Sequence, residues 1–193
     1  MFHLVLGSMV ISASLALPAQ AERAGADIAA VEQALEDCKA ALGDYPEPAE
    51  LQDCDFAAAQ AARQLTPRSG GNAGLAELWP ALFDRLMGEN DALVMRVVIA
   101  AEGSTFELDR AAILTDASRA APGLQYADAQ LLGLLKATGA RRDSASAKEL
   151  LRGWKAVRDA DCAAYPVPGC AARLNAAFGR MLAALSSDAG EGP

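Results

Sequence analysis

Four cysteines in two local pairs constrain this chain more than any other feature: Cys38 with Cys54 near one end, and Cys162 with Cys170 near the other. Between the members of each pair lies a turn of the same form, Tyr45-Pro46-Glu47-Pro48 in the first and Tyr165-Pro166-Val167-Pro168 in the second. Proline disfavours helical geometry in the residue before it, so each motif stops one helix and aims the next. A disulfide across such a turn pins a helical hairpin. The pattern therefore predicts Cys38–Cys54 and Cys162–Cys170, each contributing about 2–4 kcal/mol. Crossed pairings remain open at the level of sequence. Neither pair has the close spacing of a zinc knuckle, and the Cys-x-x-Cys redox spacing is absent.

Disulfides imply an oxidising compartment, and the beginning of the chain agrees. Leu4 to Leu17 is an apolar stretch interrupted by glycine and serine, followed by Pro18 and by Ala19-Gln20-Ala21 ahead of Glu22. That is the pattern of a secretory signal with a small-x-small cleavage site, too short and too interrupted for a membrane span. Its one irregularity is a first segment without lysine or arginine, carrying only the α-amino group and His3. We expect a signal peptide over 1–21, cleavage after Ala21, and a periplasmic or secreted protein. No later segment reads as a membrane span.

Charge and histidine narrow the chemistry. Residues 1–21 contain no Asp, Glu, Lys or Arg, so the formal charge of -8 belongs to the remainder. An acidic domain repels nucleic-acid phosphate, whereas basic proteins are drawn to it by the field. His3 is the only histidine, so the exported chain would have none. Ser-His-Asp and Cys-His catalysis and histidine-ligated metals are thereby excluded, and no cofactor or metal is expected. Carboxylate pairs such as Glu107/Asp109 and Asp159/Asp161 could in principle serve a glycosidase. Acidic pairs on helices are more commonly solvated faces, and the expectation is a non-catalytic binding protein.

Hydrophobic residues make up 52% of the chain, but aromatics only 5%. A composition dominated by alanine and leucine favours helix. Apolar spacing and turn residues suggest helices over 27–42, 48–65, 80–87, 92–101, 106–119, 124–138, 147–162 and 170–185. In these readings Asp27 and Asp91 serve as caps, and Ser146 with Glu149 forms a capping box. Residues 66–74 read as a loop and 186–193 as a disordered tail. The fold class expected is all-α: a small bundle of about six to seven helices containing the two pinned hairpins.

The segment Arg152-Gly153-Trp154-Lys155-Ala156-Val157-Arg158-Asp159-Ala160-Asp161-Cys162 resembles the Trp-x-x-(aromatic)-Arg-Asp-x-x-Cys motif of LprI-type lysozyme-inhibitor domains. Cys170 followed by Leu174 resembles the family's downstream element, and Asp37-Cys38, Cys54 and Leu65 resemble its N-terminal hairpin. Val157 replaces an aromatic of that pattern, Leu151 a glutamine, Thr66 an asparagine and Phe178 an arginine. The likeness covers both ends of the chain and leaves the middle, enlarged to a helical insert at about 67–145 of a single domain over 22–185. It implies an all-helical exported domain, some members of which bind and inhibit lysozyme.

An acidic chain of this kind would find a basic lysozyme, or another basic cell-wall hydrolase, by electrostatic steering. The residues placed to do so are Asp44, Glu47, Glu50 and Asp53 around the first turn, with Tyr45 and Tyr165 at the two turn tips. The plainer reading of both tyrosines is that each packs on its own hairpin. Trp154 is expected in the core. Arg158 and Asp161 share a helix face and could pair, with Asp159 beside them. The alternative is a structural or protein-interaction module of the envelope, working through the middle helices.

Overall fold

The computed structural model describes residues 16–66, 92–115, 126–138 and 144–188. These residues contain seven helices and no strand: α1 (Ala16–Ala41), α2 (Pro48–Leu65), α3 (Ala92–Ala101), α4 (Ser104–Leu114), α5 (Asp128–Thr138), α6 (Ser144–Ala164) and α7 (Cys170–Asp188). The all-α class and both disulfides, Cys38–Cys54 and Cys162–Cys170, are as expected.

Helix ends depart from expectation for local reasons. Asp27 does not cap α1, because the alanine-rich sequence ahead of it is already helical from Ala16. At the end of α4, the Thr115 hydroxyl turns back to the Ala111 carbonyl at 2.7 Å, and the helix stops at Leu114 rather than at 119. Helix α5 begins late because the Gln130 side chain accepts the Ala127 amide at 2.8 Å and caps it there. Ser146 lies buried inside α6, which begins two residues earlier, instead of capping it. Helix α7 continues to Asp188, into the stretch expected as a tail. The helix expected over 80–87, the Asp91 cap, most of the 66–74 loop and residues 1–15 lie outside the described residues.

Two apolar clusters hold the helices together. In the larger, Trp154 of α6 stacks on Phe178 of α7, with ring centroids 4.2 Å apart and planes at 11°. Phe106 of α4 meets Trp154 edge-on at 5.8 Å. Val94 and Val97 of α3 and Leu131 and Leu135 of α5 complete this core. In the smaller, Ile28 of α1 and Ala62 of α2 pack on Leu108, Ala111 and Ala112 of α4. Helix α4 is thus buried on opposite faces, with Phe106, Ile113 and Leu114 turned to one cluster and Leu108, Ala111 and Ala112 to the other. The stretch expected as an insert therefore supplies the helix that joins both ends of the chain.

A buried ionic network reinforces that junction. Arg110 of α4 donates from Nε and Nη2 to the two carboxylate oxygens of Asp161 in α6, at 2.8 and 2.9 Å. Its Nη1 donates to the Thr66 carbonyl at the end of α2, at 2.9 Å. Arg110 and Asp161 are 1% and 2% exposed, so this fork-to-fork pair is desolvated and highly directional. Arg63 of α2 adds an ion pair to Glu102 and lies 3.3 Å from the buried Glu107.

Candidate protein-docking surface

The α1–α2 hairpin is rigid for reasons that can be read residue by residue. Gly43 leaves α1 in the left-handed region, at φ 81°, a geometry glycine adopts without strain. Pro48 occupies the first position of α2, where its missing amide costs nothing. The Glu50 carboxylate accepts the Glu47 amide at 2.9 Å. The Cys38–Cys54 disulfide ties the helices with Cα atoms 5.9 Å apart, and Lys39 pairs with Asp55 at 2.7 Å.

This scaffold holds Tyr45 in solvent, 97% exposed. Asp44, Glu47, Glu50 and Asp53 are exposed around it, so five of the residues expected to meet a partner lie together on one hairpin. The carboxylates also suit their position, since negative charge near a helix N-terminus opposes the positive end of its dipole.

Tyr165, the sixth, lies on the other hairpin and behaves differently. It is partly buried and packs with Val167 against the larger cluster. The two turns share a form but not a setting: the expectation that both tyrosines pack fails at Tyr45, and the notion of two protruding tips fails at Tyr165. The sequence difference that distinguishes them is at the third position of the motif, where Val167 is drawn to the core and Glu47 stays in water.

The residues carrying the sequence resemblance are mostly internal. Trp154 is 1% exposed, and its indole N–H donates to the Asn175 side-chain oxygen at 2.9 Å. Asp161 pairs with Arg110 rather than with Arg158. Arg158 turns instead to Asp159 at 2.8 Å and to Asp128 at 3.2 Å, because α5 brings Asp128 over that part of α6. Lys155 also reaches Asp128, at 2.9 Å. The hydrogen bond from Lys155 holds the Asp128 carboxyl below the usual range, against slight burial and assisted by the nearby positive charges of Lys155 and Arg158.

Sequence reasoning missed Arg110, Asp128 and Asn175. Only Arg110 left a signal: it sits among Ala111, Ala112 and Ile113 on a helix too apolar to expose every charged side chain. The carboxylates considered for catalysis are engaged in ion pairs, Asp109 with Arg180, Asp159 with Arg158, Asp161 with Arg110 and Glu107 with Arg63. Among the described residues no group of carboxylates, cysteines or histidines is arranged to hold a metal ion, and no helix is long and apolar enough to cross a membrane. Comparison with family models, with curated proteins and with solved structures gives no match.

Proposed function

We propose that this chain is an exported, non-catalytic binding protein that presents the α1–α2 tip to a basic protein partner, of which a lysozyme or another basic cell-wall hydrolase is the leading candidate. The observation that carries the reading is Tyr45, fully in water on a disulfide-pinned turn among exposed carboxylates. A rigid aromatic side chain costs little entropy to immobilise and supplies a large contact area, which is why tyrosine is favoured at interfaces. The surrounding negative charge would speed encounter with a cationic surface and select against anionic ones. The two disulfides suit an oxidising compartment, and the signal-like 1–21 segment supplies the route there.

The test is lysozyme activity measured at low salt with an excess of the disulfide-intact protein. Inhibition that falls at least about tenfold in Tyr45→Ala supports the reading, consistent with loss of a central interface aromatic. Full lysozyme activity under those conditions would count against it. A second reading, an envelope interaction module without inhibitory activity, is favoured by Met95 and Ile99, which lie one turn apart and exposed on α3. Pull-down partners retained by Tyr45→Ala but lost on Ile99→Lys would favour it.

A further inference from the structure

Behind the tyrosine tip the α1–α2 hairpin is not closed. Between the two helices runs an open apolar groove of about 280 Å³, floored by Val31, Leu35 and Ala58 and by the Cys38–Cys54 disulfide, with Ala34 and Ala57 at its lips. Helix α4 packs on Ile28 and Ala62, and Val31 and Leu35 at the groove floor lean partly on that same cluster, while Ala34 and Ala57 stay exposed. A space of this size is small for a free organic ligand but takes one or two large apolar side chains presented by a partner.

The lips carry a consistent charge. Asp27 and Asp37 continue the helical stripe of Ala30 and Ala34 on α1, and Glu50 and Asp53 continue that of Ala57 on α2. All four carboxylates are exposed. Of the hairpin's basic side chains that the structure describes, Lys39 pairs with Asp55 and Arg63 with Glu102. Among the described side chains the groove is apolar along its floor and anionic along both edges.

We infer that this groove is a docking site for a cationic amphipathic segment of a protein partner, whose apolar side chains enter between α1 and α2 while its lysines or arginines meet the two acidic lips. The inference deepens the proposed function by naming the partner's chemistry, and it rests on that reading only for the identity of the partner. A second copy of this chain fits poorly, because it would bring more negative charge against an already negative edge.

The experiment uses a fluorescent peptide of about 18 residues with leucines at helical spacing and lysines elsewhere, titrated onto the disulfide-intact protein. Saturable binding is expected, weakened at least about tenfold in Ala57→Arg and in Ala34→Arg. Both positions are exposed, so the variants should keep the wild-type circular dichroism. Tyr45→Ala should bind the peptide as wild type does. Absence of binding, equal binding of a glutamate-for-lysine peptide, or binding indifferent to Ala57→Arg would overturn the inference. So would dimerisation abolished by Ala57→Arg, which would assign the groove to a second copy. Peptide binding retained beside a complete failure to inhibit lysozyme would remove the proposed partner and leave the groove standing.

Discussion

Arg110 gives both edges of its guanidinium to neighbours inside the protein, Asp161 on one side and Thr66 on another. Removing one member of such a pair strands the other without water, so Asp161→Ala should destabilise by about 3–5 kcal/mol in urea melts. Replacing both charges by apolar side chains of similar volume should cost much less than the single change. A second sharp position is Gly179 of α7, where an added Cβ would run into the Tyr126 ring. Gly179→Ala should cost about 1–3 kcal/mol by forcing that ring aside, and thermal melts would show it. Asp128 gives a pH signature. Its carboxyl is lowered in the folded state, so its contribution is present above the ordinary carboxylate range and is lost as pH falls through the depressed folded value. A carboxyl-detected NMR titration should place Asp128 below the exposed aspartates, and Lys155→Met should move it back up.

Helices legible in the sequence were those with one apolar stripe and a proline or glycine at the end. Helix α2 was readable at both ends because Pro48 opens it and the polar run after Leu65 closes it. Both hairpins were readable because a cysteine pair and a Pro-x-Pro turn agree on one geometry. Helix α4 was not fully readable, since burial on opposite faces erases the stripe that periodicity depends on. Its role as the joint between the clusters became visible only with the tertiary contacts. For the same reason helical spacing offers Asp161 a possible partner in Arg158 on its own helix and gives no sign of Arg110, far away in the chain. The site was half legible: charge and turn chemistry located the acidic tip, but only packing distinguishes the exposed Tyr45 from the buried side of Tyr165. At this scale the prediction concerns the staples. Replacing Cys38 and Cys54 together by serine should cost about 2–4 kcal/mol and loosen the tip first, seen as faster amide exchange across 38–54 than across 162–170.

For the whole molecule, the proposed recognition of a basic surface rests on negative charge, two pinned hairpins and an exposed tyrosine tip. The field that attracts such a partner is screened by salt, whereas the aromatic contact is not, so the two contributions separate experimentally. The most direct measurement is the dissociation constant for a basic lysozyme by titration calorimetry, taken at low and at physiological salt for the wild type and Tyr45→Ala. Saturable binding that weakens as salt rises is expected, with a further loss of about tenfold or more in the variant at either salt. No binding by the wild type at low salt, or binding unchanged by both salt and Tyr45→Ala, would contradict it.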